Sequence, residues 1–319
     1  MNLIEQATRR LEQLEKAGIA VPWALTTTGN VDVATEPDTT NAANDRTPPP
    51  LRIAPRQEIA QRPAPAAASP EPTHTVQINL AQLHAQGYIT PEFERSEISE
   101  QFKHIKRELF KSLRLQSADG THPRGTSLVI TSALPGEGKT FCSANLAMSL
   151  AMEIDTSVLL IEADLVRPSL FSRLGVEDYS GPGLLDVLSG EDVDLADAML
   201  ATNVPKLSIM NSGAPRGHST EWLASDAMNV LLGRLARDYP DHVVIFDAPP
   251  LLLTSESAVL AAKVGQVIMV VEASKTRRND VESAFNMVKN CPVVLPLLNK
   301  GDQDRESSRY SYYYQGPAR

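Results

Sequence analysis

Residues 133–140, Ala-Leu-Pro-Gly-Glu-Gly-Lys-Thr, have the composition of a phosphate-binding loop. They follow the apolar run at 128–130 and precede a helical pattern that begins near Lys139, and this strand–loop–helix context is the one that such a loop requires. Glycine at positions 136 and 138 permits positive φ, so that backbone N–H groups can turn toward phosphate oxygens. The helix start adds the positive end of its dipole. The motif therefore predicts a site for the phosphates of a nucleotide.

The residue types in this loop predict distinct roles. Lys139 is expected to reach the β- and γ-phosphates, and the hydroxyl of Thr140 is expected to hold Mg²⁺. The residues expected to contact the nucleotide are Pro135, Gly136, Glu137, Gly138, Lys139, Thr140 and Phe141, together with Asn299 farther along the chain. The usual motif begins with glycine where this chain has Ala133, so the loop is a variant.

Two other apolar runs end in carboxylates. The run at 158–162 ends in Glu162, with Asp164 two residues later, and the run at 243–247 ends in Asp247. A carboxylate that emerges from a buried strand is costly unless a cation or hydrogen bonds satisfy it. Two such strands that point at one phosphate loop imply Mg²⁺, which we expect Thr140, Asp164 and Asp247 to hold beside the γ-phosphate.

The body of the chain alternates between predicted strands and helices. The strands are predicted at 128–131, 158–162, 207–210, 243–247, 267–271 and 293–298, and the helices at 139–152, 184–189, 194–200, 219–237, 255–263 and 279–290. Nearly continuous apolar strands are typical of a parallel sheet that is buried on both faces. The pattern predicts an α/β fold with a doubly wound, mostly parallel sheet, namely a P-loop NTPase with deviant Walker motifs.

Composition divides the chain into four predicted regions. Residues 1–20 contain an amphipathic helix, and residues 21–75 form a Pro-, Ala- and Thr-rich linker that cannot bury enough apolar surface to fold. Residues 76–300 form the nucleotide-binding domain, which includes an amphipathic helix that begins after Ser96 or Ser99 and ends near 115. Residues 301–319 form a flexible tail that is rich in tyrosine.

Charge and hydropathy exclude several classes of protein. The 319-residue chain has a net charge of −9, which argues against nucleic acid as a partner because that function requires a basic face. No stretch approaches eighteen uninterrupted apolar residues, and the amino terminus has no apolar run typical of a signal peptide. These features predict a cytoplasmic protein.

Three motifs together resemble those of the bacterial tyrosine kinases, which are P-loop autokinases of polysaccharide export. The motifs are the Pro-Gly-x-Gly-Lys-Thr loop, the acidic strand end at 162–164 and the apolar strand that ends in Asp247-x-x-Pro. The resemblance covers about residues 96–314, and the N-terminal helix and proline-rich spacer are similar to those of the exosortase-associated, exopolysaccharide branch. It implies a protein-tyrosine kinase that takes ATP and Mg²⁺, with Lys139, Asp164, Glu162 and Asp247 as catalytic residues.

The chain departs from the family pattern at two places. The family has Asp-x-Asp-x-Arg where this chain has Glu162, Asp164 and Val166, with Arg167 one position late. The resemblance implies that Glu162 is the base toward the tyrosine hydroxyl. The family also has a Glu-x-x-Arg-x-x-Arg helix that joins subunits in a ring, and here it reads Glu100, Lys103 and Lys106. Lysine keeps the charge but lacks the bidentate fork of arginine, which predicts a weaker interface.

The last ten residues contain four of the seven tyrosines, at positions 310, 312, 313 and 314. The resemblance implies that Tyr310, Tyr312, Tyr313 and Tyr314 are phosphoacceptors, phosphorylated by a neighbouring subunit. It also implies a homo-oligomer whose assembly responds to phosphorylation, a membrane-embedded co-polymerase-type activator that holds the kinase at the inner membrane, and a phosphotyrosine phosphatase.

Two alternatives share the same phosphate loop. Residues 299–302, Asn-Lys-Gly-Asp, match the guanine signature of GTPases, but the switch motif Asp-x-x-Gly is missing because Asp247 is followed by Ala-Pro-Pro. A partition or positioning ATPase would have a similar fold. Such ATPases usually carry an extra lysine early in the loop, where this chain has Ser132, Ala133 and Leu134.

Overall fold

A computed structural model describes residues 70–93, 96–118, 126–176, 179–190, 193–215, 217 and 219–301. The helix predicted within residues 1–20, most of the predicted linker and the tyrosine tail lie outside these residues. Ordered pairing begins at strand β1 (His74–Val76), two residues before the predicted boundary at 76. None of the helices in the described part is both long enough and apolar enough to cross a membrane.

The described residues form an α/β sheet with helices on both faces. The other strands are β2 (Ser127–Ser132), β3 (Ser157–Glu162), β4 (Leu200–Thr202), β5 (Leu207–Met210), β6 (His242–Asp247), β7 (Gln266–Glu272) and β8 (Val293–Asn299). The α-helices are α1 (Leu80–Ala85), α2 (Glu97–Ala118), α3 (Lys139–Ala151), α4 (Leu170–Arg173), α5 (Leu184–Leu188), α6 (Leu195–Ala198), α7 (Ser219–Ala224), α8 (Asp226–Asp238), α9 (Glu256–Ala261) and α10 (Arg278–Met287).

The eight strands have the order β1-β4-β5-β3-β6-β2-β7-β8, and every neighbouring pair except β4–β5 is parallel. This confirms the prediction of a doubly wound, mostly parallel sheet. The short strand β4, which is antiparallel to β5, was not predicted, because three residues between helix α6 and a turn carry too little periodicity to reveal a strand.

Alternate residues of the central strands pack on opposite faces of the sheet. Leu128 and Ile130 of β2 belong to the core beneath α2 and α3, whereas Val129 belongs to the core beneath α8 and α9. This alternation follows from the two-residue period of a strand, and it explains why strands covered on both faces are apolar throughout. The two cores fix β3, β6 and β2 side by side, and their carboxyl ends lie at one edge.

One predicted helix is divided in the structure, and another begins where it was predicted. The helix predicted at 219–237 is divided into α7 and α8 at Ser225, whose extended backbone (ψ 171°) interrupts the helical hydrogen bonds. Helix α2 begins where predicted, because the Ser96 hydroxyl accepts a hydrogen bond from the Ser99 N–H at 3.2 Å. Its predicted apolar stripe is also present, since Phe102 and Leu109 are fully buried.

Candidate active site

The phosphate loop lies between β2 and α3, at the carboxyl edge of the sheet. Gly136 and Gly138 have φ of 83° and 98°, which a side chain would strain, and the glycines therefore explain the local shape of the loop. Helix α3 begins at Lys139, so its unpaired N–H groups face the space that the loop encloses. This is the arrangement of N–H donors and helix dipole that an anion requires.

The strand register brings the two predicted carboxylate strands together. Glu162 of β3 pairs directly with Asp247 of β6, and Ile130 of β2, just before the loop, pairs with Asp247 on the other side. The prediction that these side chains share one edge with the phosphate loop is therefore met by the topology. The three strand ends lie side by side, although Asp247 is more than eighty positions from both Ile130 and Glu162 in the sequence.

Asp247 lies at the bottom of the site, with 1% of its surface exposed. Its carboxylate accepts a hydrogen bond from the Ser143 hydroxyl at 3.0 Å and another from the Thr140 hydroxyl. Burial raises the pKa of Asp247 to about 6, although Lys139 and the two hydroxyls act in the opposite direction. A carboxylate in this position gains from a nearby cation, because a cation offsets the cost of its desolvation.

Lys139 and Asp164 form an ion pair. The Lys139 Nζ lies 2.9 Å from Asp164 Oδ2, and Asp164 Oδ1 also accepts the backbone N–H of Arg167 at 3.0 Å. Asp164 is buried, whereas Val166 and Arg167 are exposed. The backbone of Arg167 thus orients Asp164 even though its side chain is displaced by one position from the family pattern.

Glu162 has a local structural role. Its Oε1 accepts the N–H of Leu170 at 2.6 Å, and the N–H of Ser169 also donates to the carboxylate, so Glu162 binds the first N–H groups of α4. Burial raises the pKa of Glu162 to about 7; the two backbone hydrogen bonds lower it, while Asp247 and Asp164 raise it. The predicted role as a base is not tested by this geometry.

Glu137 was predicted to contact the nucleotide, but its side chain is turned into the protein. The carboxylate accepts the N–H of Leu134 at 2.7 Å and a hydrogen bond from the Thr276 hydroxyl, and 2% of the residue is exposed. A buried acid with these partners stabilises the loop. The prediction is thus corrected for the side chain: Glu137 can offer only its backbone N–H to a phosphate.

Phe141 and Asn299, which are also predicted to contact the nucleotide, have side-chain partners within the protein. The Phe141 ring packs against Tyr88 with centroids 4.8 Å apart, and it belongs to the edge of the core beneath α3. Asn299 is the last residue of β8, and its Nδ2 donates to the carbonyl oxygen of Glu137 at 2.8 Å. Both side chains contact the protein around the loop. Asn299 makes its contact through the side-chain amide, which the guanine signature would assign to nucleotide binding. Asp302 of that signature lies outside the described residues.

Helix α2 presents only part of the predicted oligomer surface. Glu100 and Lys103 are exposed and pair with each other at 2.6 Å. Lys106 is 8% exposed and points inward, where its Nζ donates to the Ser149 carbonyl at 2.9 Å and pairs with Glu153 at 2.5 Å. Lys106 therefore satisfies the carboxyl end of α3, and its assignment to an intersubunit interface is wrong for this reason.

Ser143 near the loop was missed by the sequence analysis, and Lys300 was considered only as part of the guanine signature. Ser143 lies one turn after Thr140 on α3 and hydrogen-bonds Asp247, which a hydroxyl at this spacing could have indicated. Lys300 donates from Nζ to the carbonyl oxygen of Gly136 at 2.7 Å, and only the tertiary structure reveals this contact across 164 positions.

The donor set at this edge consists of oxygen atoms. Within the described ranges, no three histidine, cysteine, aspartate or glutamate side chains are placed to hold a metal ion by themselves. Asp164, Asp247 and the Thr140 hydroxyl could instead supply part of a shell that a nucleotide completes. Mg²⁺ is usually bound in this way, by one or two carboxylates together with phosphates and water.

Comparisons with known proteins identify the family. No protein-family model matches the chain. The chain is 31% identical over 188 residues to the tyrosine-protein kinase YwqD of Bacillus subtilis, which corresponds to 59% of this chain and 77% of YwqD. It is 30% identical over 187 residues to the tyrosine-protein kinase ptk of Acinetobacter johnsonii, and there it spans only 25% of the relative.

A solved structure agrees with the sequence relatives. The kinase domain of the Escherichia coli tyrosine kinase ETK superposes with a TM-score of 0.52 at 26% identity, over 60% of this chain and 74% of that domain. The similarity therefore extends from the sequence to the fold of the shared region. The chain belongs to the bacterial tyrosine-protein kinase family and is a protein-tyrosine kinase with a P-loop NTPase fold.

Proposed function

We propose that this kinase transfers the γ-phosphoryl group of ATP, bound with Mg²⁺, to the tyrosine cluster at the carboxyl terminus of a neighbouring copy. The observation that carries the proposal is the convergence of Lys139, Asp164 and Asp247 at one phosphate loop. The acceptors are Tyr310, Tyr312, Tyr313 and Tyr314.

The residues at the carboxyl edge fit Mg²⁺. Asp247 is fully buried with a raised pKa, and both of its hydrogen-bond donors are hydroxyls that can rotate away. Asp164 and Thr140 would complete the protein's share of the oxygen ligands. The ion would neutralise charge on the β- and γ-phosphates during transfer.

The chain's own groups would act mainly by positioning and charge. The N–H groups of the loop and of the start of α3 would orient the phosphates, and Lys139 would exchange Asp164 for phosphate oxygens. Glu162, with a pKa near 7, is suited to accept the tyrosine proton at neutral pH, because a base functions best when its pKa is near the working pH.

The length of the chain beyond the described residues is compatible with transfer to another subunit. The described chain ends at Gly301, two residues after Asn299, which contacts the phosphate loop. The remaining residues 302–319 could span roughly 60 Å if fully extended, so their length does not confine the tyrosines to the loop of their own chain.

The proposed setting is exopolysaccharide or capsule synthesis. In this setting the kinase would form a homo-oligomer, contact a membrane-embedded co-polymerase-type protein at the inner membrane and be reset by a phosphotyrosine phosphatase. These partners rest on the family resemblance, and the relatives described above support the kinase activity itself.

A two-protein experiment tests the phosphoryl transfer. The Lys139→Met full chain serves as the acceptor, and a chain with all four tail tyrosines changed to Phe serves as the enzyme. Each protein is incubated alone and mixed, with ATP and Mg²⁺, and the C-terminal peptide is analysed by mass spectrometry. Phosphotyrosine on the Lys139→Met tail only in the mixture is expected. A mixture in which that tail stays unmodified, while wild-type chain modifies its own, would overturn transfer between subunits.

A further inference from the structure

The carboxyl end of β8 holds the phosphate loop by two side-chain hydrogen bonds. Asn299 Nδ2 donates to the carbonyl oxygen of Glu137 at 2.8 Å, and Lys300 Nζ donates to the carbonyl oxygen of Gly136 at 2.7 Å. The two acceptors are consecutive residues of the loop. Two consecutive residues of a distant strand end thus bind two consecutive carbonyl groups, and neither contact follows from the family motifs.

The planarity of the peptide bond determines what these contacts do. In a trans peptide the C=O of one residue and the N–H of the next point in opposite directions. A Glu137 carbonyl that points to Asn299 therefore turns the Gly138 N–H away from β8. In the same way, the contact with Lys300 turns the Glu137 N–H away from β8. Two consecutive N–H groups of the loop are thus directed to the side opposite β8.

The local geometry indicates that this contact is closely fitted. A Cβ added at Gly138 would lie 2.1 Å from Asn299 Nδ2, so the approach of Asn299 requires glycine there. Lys300 has φ of 57°, which is uncommon for a residue other than glycine, asparagine or aspartate. Its Nζ also lies 3.3 Å from the carboxylate of Glu272, which fixes the ammonium group between the loop and β7.

We propose that Asn299 and Lys300 are positioning residues that pre-orient the phosphate-binding N–H groups of residues 137 and 138. They act through the loop backbone and need no contact with the nucleotide. The inference rests on the proposed function only in taking the phosphates of ATP or ADP as the ligand. Under this proposal, Asn299 and Lys300 have a structural role that does not depend on recognition of guanine.

The test measures binding of a fluorescent ADP analogue with Mg²⁺ to the full chain. Lys300→Met and Asn299→Ala each remove one donor, and Lys300→Arg keeps a donor at the same place. Lys275→Met is the matched control, because Lys275 pairs with the same Glu272 at 3.2 Å and, among the contacts of the described residues, has none with the loop. Melting temperature without nucleotide is recorded for each variant, together with KM for ATP and KM for a peptide of residues 302–319.

Loss of either donor is expected to weaken nucleotide binding roughly threefold to tenfold and to raise KM for ATP by a similar factor. KM for the peptide and the melting temperature should stay at wild-type values, and both Lys300→Arg and Lys275→Met should bind as the wild type does. Wild-type affinity in Lys300→Met and Asn299→Ala would overturn the inference, as would an equal loss in Lys275→Met. Failure of the wild-type chain to bind the analogue at all would instead contradict the proposed function.

Discussion

Lys139 Nζ lies 2.9 Å from Asp164 Oδ2, so the lysine of the phosphate loop is paired with a carboxylate of the same site. Both side chains are largely buried, at 14% and 6% exposure. Removing one side chain of a buried ion pair leaves the charge of the other uncompensated where little water can solvate it. Under the proposed function, nucleotide binding would exchange this one ion pair for two, with Lys139 paired to phosphate and Asp164 paired to the metal ion.

The first prediction concerns Lys139→Met. This variant is expected to lose ATP-dependent tyrosine phosphorylation while it keeps the fold. It is also expected to lose on the order of 1–3 kcal/mol of stability, because Asp164 is left without its cation. Urea unfolding and phosphotyrosine detection measure the two effects. The double variant Lys139→Met/Asp164→Asn should recover most of the stability and none of the activity. Wild-type labelling by the single variant would refute the kinase site.

The second prediction concerns the pH dependence of stability through Asp247. Burial raises the pKa of Asp247 from 3.8 to about 6, so the native state holds a proton that the unfolded state releases. The favourable contribution of Asp247 to the free energy of unfolding is fully present below about pH 4 and is lost as the pH rises through about 6. Without nucleotide, the stability of the Asp247→Asn variant minus that of the wild type should therefore increase as the pH rises from 4 to 6. Above pH 6 this difference should stay constant. Thermal melting across pH 4–8 checks it, and a difference that does not change with pH would contradict it.

The third prediction concerns Glu162 as a base. Glu162→Gln keeps an acceptor oxygen for the Leu170 N–H but cannot accept a proton. Wild-type kcat should rise with pH through about 7, the raised pKa of Glu162, because only the carboxylate form accepts a proton. The variant should be slower and should lose this rise while retaining wild-type KM for ATP. An unchanged pH profile in a folded Glu162→Gln protein would leave Glu162 as the residue that binds the start of α4.

The sequence predicted the strands near the site better than it predicted the contacts of single side chains. The six strands of the body were recognised because buried parallel strands are continuously apolar, and glycine with Lys139 identifies the loop from local chemistry alone. Lys106 and Glu137 were misassigned, because a charged residue in an amphipathic pattern gives no sign of an inward-pointing side chain. Their partners, at Glu153 and Thr276, are 47 and 139 positions away. Such contacts depend on tertiary packing, which sequence periodicity does not encode.

The fourth prediction separates stability from assembly on α2. Lys106→Met should reduce stability by about 0.5–2 kcal/mol, because it removes the donor to Ser149 and Glu153. It should leave the mass of the oligomer unchanged. Glu100→Ala/Lys103→Ala removes an exposed pair, which should cost under about 0.5 kcal/mol, and it should lower the mass if this surface joins subunits. Light scattering and urea unfolding give the two readouts. A lower oligomer mass for Lys106→Met, with no change for Glu100→Ala/Lys103→Ala, would restore the assignment of Lys106 to the interface.

The last prediction concerns the charge that phosphorylation adds to the tail. Each phosphate brings about −1.5 to −2 charges, so four on Tyr310, Tyr312, Tyr313 and Tyr314 add roughly −6 to −8 to one short segment. The chain already has a net charge of −9, and the site contains three carboxylates, at 162, 164 and 247. An unmodified tail can enter a neighbour's site, whereas a phosphorylated tail should be repelled from it. Phosphorylation should therefore be self-limiting and should favour dissociation of the oligomer.

Salt provides the test of this electrostatic origin, since screened charges repel each other less. Oligomer mass is measured before and after ATP treatment, at low and at high ionic strength, for the wild type and for a variant with the four tail tyrosines changed to Phe. Dissociation of the wild type should be greater at low salt, and the Phe variant should keep its mass after ATP is added. An intact oligomer with a fully phosphorylated tail at low salt would contradict the prediction. So would dissociation of the Phe variant on addition of ATP, because that variant has no tail tyrosine to modify.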